Sequence, residues 1–423
     1  MGRTVAAVKA GPCGVIEGFY GPPWSWAART ALADRYATEG LPDYIYAPKD
    51  DPKHRELWRV LYDDVELADF ARFADRPHGR LGFAISPGLS MDYDDPNDRA
   101  ALGRKVDQVV AAGATLVVLA LDDIPFGGGA QGHAHARLTA WLHGHLGPRA
   151  AVALVPTEYV GVERSAYLDA LASGVPEEVP IGWTGRAVVN DTITVADAEA
   201  RATSLGGRRP LLWDNYPVND ALMSDRLFMG PLQGRPRGLL DVCSGYLANP
   251  MVQPIANYLP LASIAAFVRG EDPTLAWQQT AEALGWLTFA QACDGDTATI
   301  VVQTASAGDL RPARAFFDAA ATCSAPGIDT DAERWLIQVQ RDARLALQAL
   351  AVIEGDRSVE TVMAMTTRWQ ASRRSPVTVF GARCSIRPVI TQAHDGGWTV
   401  DPAAFTVDAN AIDTLVGLAL ASL

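Results

Sequence analysis

Short apolar segments recur along the chain up to about Pro260, separated by stretches rich in Ala, Leu and Arg whose apolar residues follow helical spacing. Strands that alternate with helices in this way form parallel crossover units. Eight such units within about 250 residues are typical of a (β/α)8 barrel. We therefore predict an α/β fold in which residues 1–262 form a TIM barrel. The predicted strand segments begin at Gly14, Asp43, Arg80, Thr115, Ala151, Ile181, Pro210 and Gly238.

The hydrophobic pattern changes after Pro260. From Asp329 to Glu354, apolar residues recur at helical intervals with charges between them, which indicates an amphipathic helix packed on neighbours. We predict that residues 263–423 form a mainly helical C-terminal domain. Between Arg374 and Trp398 the segments VTVF and PVI resemble strands, whereas the Arg and Gly content is typical of a loop. The function of that stretch stays open.

Polar residues follow the predicted strands at one end. In LVVLALDDIP, residues 116–125, an unbroken apolar run stops at Asp122 and Asp123. Barrel enzymes build their active sites at the C-terminal ends of the strands, so these ends predict one pocket. The residues expected to line it are Glu17, Lys49, Asp122, Asp123, Tyr159, Trp183, Asp214 and Asn215.

Two adjacent carboxylates suit acid–base chemistry. Each negative charge disfavours ionisation of the other, so one of the two can remain protonated at neutral pH. The alternative for Asp122 and Asp123 is a helix N-cap or a turn. Glu17 and Glu158 are the next candidate acids, although structural roles are favoured for both.

Composition narrows the class of protein. The chain has 423 residues and a formal net charge of −13, which argues against a broad nucleic-acid-binding face. Five cysteines without CxxC spacing suggest neither a disulfide framework nor a zinc knuckle. With no signal peptide and no membrane-length apolar segment recognised, we expect a cytoplasmic protein without membrane contact.

Four histidines form two HxH pairs, His133 with His135 and His143 with His145. Residues at i and i+2 of a helix point to different faces, which is unfavourable for a shared metal. We therefore expect no metal and interpret these histidines as exposed helix residues. Gly127 to Gly129 lack the Lys-Ser/Thr of a phosphate-binding loop and indicate a flexible loop beside the site.

The motifs at the strand ends resemble glycoside hydrolase family 84, which comprises bacterial β-N-acetylglucosaminidases and protein O-GlcNAc hydrolases. The resemblance runs in order over roughly the first 260 residues, and the APKDD and WDNYPVND blocks are the most specific. The family has a (β/α)8 barrel, which agrees with the strand count. The motifs are GVIEGFYGPPWSW at 14–26, YIYAPKDDPKHRELW at 44–58, LDDIP at 121–125, VPTEYVG at 155–161, WTG at 183–185, LLWDNYPVND at 211–220 and LANP at 247–250.

The resemblance implies substrate-assisted catalysis without a cofactor. In such enzymes the 2-acetamido oxygen of the substrate attacks the anomeric carbon and forms an oxazoline, with net retention. By carry-over, Asp122 orients the acetamido N–H, and Asp123 protonates the leaving oxygen and then deprotonates water. Adjacent residues fit this exception better than a two-carboxylate retaining site, which needs carboxyl groups about 5 Å apart on opposite sides of the sugar.

The resemblance also implies which residues bind the sugar. Asp220 matches a carboxylate that bonds the 4- and 6-hydroxyls, and Lys49 matches a lysine on the 3-hydroxyl side. Taken singly, each has an ordinary alternative as a loop charge, a core aromatic or a turn residue. The remaining matches are the Gly18 backbone and Asn249 as ligand contacts, Asn215 and Tyr159 around the acetamido group and anomeric oxygen, and Trp213 as a pocket wall.

Three functions therefore compete. The first is a retaining exo-β-N-acetylglucosaminidase whose partner is a β-linked N-acetylglucosamine glycoside or glycoprotein. The second is a barrel that has lost turnover and only binds such glycans, and the third is an endo-acting hyaluronidase-type glycosidase. The presence of both Asp122 and Asp123 favours an enzyme, because a binding protein needs no acid beside a base. The natural aglycone and the oligomeric state stay open.

Overall fold

The computed structural model describes residues 11–381, 390–392, 398–400 and 410–423. Eight parallel strands form one sheet in the order β5-β4-β3-β2-β1-β8-β7-β6. A parallel bridge between Leu154 and Ile181 joins β5 to β6, so the sheet is nearly closed. This confirms the predicted (β/α)8 barrel. The strands are β1 Cys13–Ile16, β2 Asp43–Tyr46, β3 Arg80–Ile85, β4 Leu116–Ala120, β5 Ala151–Val155, β6 Gly182–Trp183, β7 Leu211–Asp214 and β8 Gly245–Ala248.

Helices connect the strands on the outside of the barrel. Several begin at side-chain caps that satisfy their first backbone N–H groups; Asp63, for example, forms a capping box with Glu66 at the start of α2. The barrel helices are α1 Trp26–Ala37, α2 Asp64–Ala74, α3 Pro96–Ala111, α4 Gly128–Leu146, α5 Ala166–Gly174, α6 Val195–Ser204 and α7 Tyr258–Val268.

The eighth strand lies later in the chain than predicted. The segment starting at Gly238 forms a 3-10 helix, Leu239–Val242, whose turn is closed by hydrogen bonds such as Asp241 N–H to the Gly238 carbonyl. The strand is instead GYLA, where Tyr246 pairs with Cys13 on one side and Leu212 on the other. Both segments are short and apolar, and only GYLA closes the ladder between β1 and β7.

Strand β4 shows how the barrel orients its residues. Leu116, Val118 and Ala120 belong to the cluster inside the barrel, whereas Val117 and Leu119 belong to the cluster beneath the outer helices. Successive side chains of a strand point to opposite faces. Because the Leu121 amide continues the ladder by donating to the Val155 carbonyl, the next inward position is Asp122.

The C-terminal region is mainly helical in its described part, as predicted. Helix α12 covers most of the predicted amphipathic stretch and buries Trp335, Val339 and Leu350. The predicted boundary between residues 262 and 263 falls inside α7 and stays a prediction. These helices are α8 Pro273–Leu284, α9 Leu287–Asp294, α10 Asp296–Ser306, α11 Arg311–Ala321, α12 Glu333–Ile353, α13 Val359–Ser372 and α14 Ala411–Ala421.

The stretch from Arg374 to Trp398 lies only partly within the described residues. Its VTVF segment is not a strand, although Phe380 is buried. Further along, β9 Ile390–Gln392 and β10 Trp398–Val400 pair antiparallel.

The helical region supports the loops at the C-terminal ends of β7 and β8. Trp335 Nε1 donates to the Asp225 carbonyl at 2.8 Å, and Trp277 Nε1 donates to the Met229 carbonyl at 2.6 Å. Asp329 accepts from the Ile255 amide at 2.7 Å. The loops after the neighbouring strands β7 and β8 are therefore held by side chains of the C-terminal region.

In the described part of the chain, Cys13, Cys243, Cys293 and Cys323 carry free thiols, and burial raises the pKa of Cys13 and Cys243 to about 12. Cys384 lies outside the described residues. Among the helices that the structure describes, none combines the length and apolar character of a bilayer span.

Candidate active site

A cavity of about 340 Å³ opens at the C-terminal ends of the barrel strands. It has the size and the mixture of apolar walls and few polar groups that small-ligand sites show. All the catalytic and binding residues predicted from the sequence line this cavity. They are Gly18, Lys49, Asp122, Asp123, Tyr159, Trp213, Asn215, Asp220 and Asn249.

Asp122 forms a buried ion pair with Lys49, whose Nζ lies 2.5 Å from Oδ2. Burial by itself raises the pKa of the Asp122 carboxyl, but the Lys49 charge, its hydrogen bond and the Arg55 charge outweigh burial and hold that pKa below its usual range. The other oxygen, Oδ1, is buried and accepts no hydrogen bond from any residue that the structure describes. Asp122 is thus an ionised acceptor with one oxygen available to a ligand.

Asp123 has different surroundings. Its backbone adopts φ of +52°, a left-handed conformation that is uncommon for residues other than glycine. The Tyr159 hydroxyl donates to Oδ1 at 2.8 Å, and the Tyr20 hydroxyl donates to Oδ2 at 2.7 Å. The carboxyl group is half-buried at the cavity wall, beside Asp122 but outside the ion pair with Lys49.

Asp220 also lines the cavity, in the loop after β7. Its Oδ2 accepts from the Tyr20 amide at 2.7 Å. Burial raises the pKa of Asp220, and the nearby Asp123 charge acts in the same direction against that hydrogen bond. A half-buried carboxylate with remaining acceptor sites is suited to ligand hydroxyl groups.

An amide network holds the floor of the cavity. Asn215 Oδ1 accepts from Trp213 Nε1 and from Asn249 Nδ2, both at 2.9 Å. Asn249 in turn accepts from the Gly18 amide at 3.1 Å. A Cβ at Gly18 would lie 2.4 Å from Cζ2 of Trp213, so only glycine fits beside this indole. The network and the close approach fix the Trp213 ring as a cavity wall.

Three of the residues expected to line the pocket do not do so: Glu17, Trp183 and Asp214. Glu17 is fully buried against Arg29, and Asp214 is paired with Arg235 at 2.6 Å. Trp183 is completely buried beneath the surface. Each follows or ends a barrel strand, as predicted, but its side chain points away from the cavity into structural contacts.

Glu158 is also absent from the lining of this cavity. Its Oε2 accepts from the Ser165 hydroxyl at 2.5 Å, and Ser165 is the N-cap of α5. This contact agrees with the structural role favoured for Glu158.

The interpretation of the histidines as exposed is wrong for His135. That ring is buried, with Nδ1 at 2.9 Å from the Tyr167 hydroxyl, because position 135 faces the barrel side of α4 while His133 faces outward. Within the described ranges, no three His, Cys, Asp or Glu side chains are grouped so as to hold a metal ion.

Sequence reasoning missed two polar residues of the site, Tyr20 and Arg55. Tyr20 lines the cavity, and Arg55 lies behind it, donating to the Tyr20 hydroxyl at 2.9 Å and to the Asp123 carbonyl at 3.1 Å. Both stand inside motifs already recognised, directly after GF and within DPKHRELW. A tyrosine and an arginine inside motifs that supply other site residues are the signal that could have identified them.

Comparison with known proteins agrees with this geometry. A family model described as beta-N-acetylglucosaminidase matches residues 13–294. The Protein O-GlcNAcases of Rattus norvegicus and Mus musculus are each 34% identical over 274 residues, which covers 61% of this chain. The match covers 30% of their own length, so this chain aligns with less than a third of those curated relatives.

Two solved structures share the fold. An O-GlcNAc hydrolase of Thermobaculum terrenum, an Asp-to-Asn mutant, superimposes with a TM-score of 0.76 at 25% identity, over 87% of this chain and 91% of that one. CpGH84B gives a TM-score of 0.77 over 87% of this chain and 74% of its own, and its 22% identity supports the fold alone.

Proposed function

Because this chain belongs to the β-N-acetylglucosaminidase family, whose model matches residues 13–294, we propose that it is a retaining exo-β-N-acetylglucosaminidase. Its substrate in this proposal carries a terminal β-linked N-acetylglucosamine, on a protein, a peptide or another glycan. The names of the O-GlcNAcase relatives favour O-GlcNAc-modified proteins or peptides among these.

The observation that carries the proposal is the asymmetry of the carboxylate pair. Asp122 is held ionised by Lys49 and has Oδ1 available, whereas Asp123 is held by two tyrosine hydroxyls. Substrate-assisted catalysis needs an ionised group on the acetamido N–H and a separate proton donor at the leaving oxygen. The two environments correspond to these two roles.

In the proposed first step, Asp122 accepts a hydrogen bond from the acetamido N–H, which raises electron density on the acetamido oxygen. That oxygen forms a bond to the anomeric carbon while the glycosidic C–O bond breaks. Asp123 transfers its proton to the departing oxygen. The products are an oxazolinium ion, whose N–H stays hydrogen-bonded to ionised Asp122, and a free aglycone alcohol, and Asp123 is left ionised.

The second step reverses these transfers with water in place of the aglycone. Asp123 removes a proton from water, the water oxygen bonds to the anomeric carbon, and the oxazoline C–O bond breaks to restore the acetamido group. Two displacements at one carbon give net retention. The sugar is held by Asp220 at its 4- and 6-hydroxyls and by Lys49 near its 3-hydroxyl, with Trp213 as the wall of the acetamido pocket.

The test compares nitrophenyl β-N-acetylglucosaminide with nitrophenyl β-glucoside, which lacks the acetamido group. The enzyme should cleave only the former. Progressive fluorination of the N-acetyl group should then slow turnover steeply, because fluorine withdraws electron density from the attacking oxygen. A flat rate across the series would rule out acetamido participation, and cleavage of neither glycoside would favour a glycan-binding barrel.

A further inference from the structure

Asp123 is the end point of a chain of hydrogen bonds that begins at Arg55. Arg55 Nη1 donates to the Tyr20 hydroxyl at 2.9 Å, and that hydroxyl donates to Asp123 Oδ2 at 2.7 Å. Arg55 Nη2 donates to the Asp123 carbonyl at 3.1 Å. One guanidinium therefore contacts both the backbone of Asp123 and the tyrosine that contacts its carboxyl group.

The two tyrosines on Asp123 are not equivalent. Tyr159 is buried, whereas Tyr20 is 42% exposed at the cavity mouth. Tyr20 is nevertheless held in place, because its amide donates to Asp220 at 2.7 Å and its ring lies 5.8 Å from the Arg55 guanidinium carbon. Arg55 is itself only 7% exposed, so its charge acts with little screening by water.

We propose that Tyr20 and Arg55 are positioning residues for the proton transfers of Asp123. The inference rests on the proposed function and assigns a role to two residues that the mechanism above does not use. Tyr20 donates a hydrogen bond to the carboxylate that forms when Asp123 gives its proton to the leaving oxygen, and Arg55 polarises the Tyr20 hydroxyl and thereby strengthens that bond.

The geometry permits this role in both protonation states. A carboxyl group has about four acceptor positions, two on each oxygen, and the tyrosine hydroxyls occupy one on each. A second position on either oxygen can therefore hold the proton without displacing a tyrosine. When the proton leaves, both hydroxyls already point at the new charge, so no reorganisation is needed.

Loss of the Tyr20 hydroxyl should make Asp123 retain its proton more strongly. In Tyr20→Phe, the basic limb of the kcat/KM profile should move to higher pH by about one unit, the size expected for one hydrogen bond to a charged group. Five neighbouring charged or titratable groups contribute to the same profile and remain unchanged in this variant: Asp122 after β4, Lys49 and Arg55 after β2, Tyr159 after β5 and Asp220 after β7.

The leaving group provides a second readout. A carboxyl group that releases its proton less readily should slow glycosides with poor leaving groups about tenfold and activated nitrophenyl glycosides much less. Tyr36→Phe is the matched control, because its hydroxyl bonds the Tyr258 carbonyl on the outside of the barrel. That variant should keep the wild-type pH limb and the wild-type dependence on the leaving group.

Arg55→Lys tests whether Arg55 acts on Asp123 through the Tyr20 hydroxyl, because a single ammonium cannot make both contacts of the guanidinium. It should shift the basic limb in the wild-type background and shift it less when Tyr20 is already Phe. Arg59→Lys, at a partly exposed pair with Asp98, is its control.

The outcomes separate the two proposals. An active wild type whose Tyr20→Phe variant keeps both the pH limb and the leaving-group dependence would overturn this inference alone. Inactivity of the wild type on every N-acetylglucosaminide would overturn the proposed function and this inference with it. Thermal unfolding of each variant shows whether an altered profile comes from a folded enzyme.

Discussion

Two buried carboxylates lie at the C-terminal ends of barrel strands, Glu17 after β1 and Asp122 after β4, and each is paired with a buried cation. Glu17 accepts from Arg29 through both oxygens, from the Tyr44 hydroxyl at 2.5 Å and from the Trp24 amide at 3.0 Å. Asp122 accepts from Lys49 through Oδ2, while Oδ1 has no partner in the described part of the chain.

The difference shows which property distinguishes the carboxylate proposed as catalytic from a structural one in this barrel. Burial does not, because Glu17 is 0% and Asp122 only 6% exposed. Pairing with a cation does not either, since both are paired. The two carboxylates differ in the number of hydrogen bonds that they accept from the protein. Both oxygens of Glu17 accept hydrogen bonds, whereas Asp122 lines the cavity and its Oδ1 accepts none from the described residues. A buried acceptor without a hydrogen-bond partner destabilises the folded protein unless a bound ligand donates a hydrogen bond to it.

The largest expected effect comes from Asp122→Asn. In the proposed mechanism this variant loses the charge that orients the acetamido group, so kcat/KM should fall by about 10²- to 10⁴-fold on activated and unactivated glycosides alike, because ring closure itself is impaired. Kinetics per folded enzyme, with the folded fraction taken from thermal unfolding, give the measurement. Rates close to wild type would show that Asp122 has no part in the mechanism and that another carboxylate has its role.

The converse variant is Glu17→Gln. It leaves Arg29 buried without its counter-charge, so the free energy of unfolding should fall by about 3–5 kcal/mol, as for other broken buried pairs. The fraction that remains folded should keep kcat/KM within a few-fold of wild type. Urea unfolding measures the loss, and Glu354→Gln at an exposed pair with Arg314 is the control, with an expected change below about 1 kcal/mol. A stable but inactive Glu17→Gln variant would contradict the structural assignment.

The fold was predictable because the strands of a barrel carry a strong and repeated signal. An apolar run that ends in carboxylates, as at Leu121 and Asp122, marks both a buried strand and its C-terminal end. The signal failed at the eighth strand, where the run after Gly238 and the true strand at Gly245 have similar composition. Only pairing with β1 decides between them, and that pairing joins residues far apart in the sequence.

The site was predictable by position but not by orientation. Strand ends located Glu17, Asp214 and Asp122 equally well, yet the first two point into structural ion pairs with arginines from other segments. Arg29 is 12 residues from Glu17 and Arg235 is 21 residues from Asp214, so the pattern around each carboxylate does not reveal its partner. The same limit hid Tyr20 and Arg55, because their importance depends on a contact with Asp123 that only the folded chain brings about.

Asp220 tests an intermediate case, a carboxylate with one oxygen held by a backbone amide and further positions available. Charge-assisted hydrogen bonds to sugar hydroxyls are worth roughly 1.5–3 kcal/mol each, so Asp220→Ala should lower kcat/KM at least tenfold. The fold should survive, and Asp94→Ala at an exposed pair with Arg137 should leave the kinetics unchanged. Unchanged kinetics in Asp220→Ala would show that the sugar is bound elsewhere.

Asp342 completes the comparison as a buried carboxylate outside the barrel that accepts a hydrogen bond from an amide, Gln338 Nε2 at 2.8 Å. Burial raises the pKa of Asp342 to about 6, against hydrogen bonds from Gln338 and Ser372 that act in the opposite direction. The native state therefore binds the proton more tightly than the unfolded chain. Stability from this group is fully present at low pH and is lost as pH rises through about 6.

The smallest expected effect follows from that sign. Between pH 5 and pH 7.5 the wild type should lose on the order of 1 kcal/mol of unfolding free energy relative to Asp342→Asn, which keeps the acceptor oxygen but has no proton to lose. Urea unfolding of both proteins across this range measures the difference, in which all other titrating groups cancel. If the free energies of unfolding of the two proteins changed in parallel with pH, the pKa of Asp342 would not be raised in the folded state. Hydrogen bonds without a cation would then be enough to bury an ionised carboxylate in this protein.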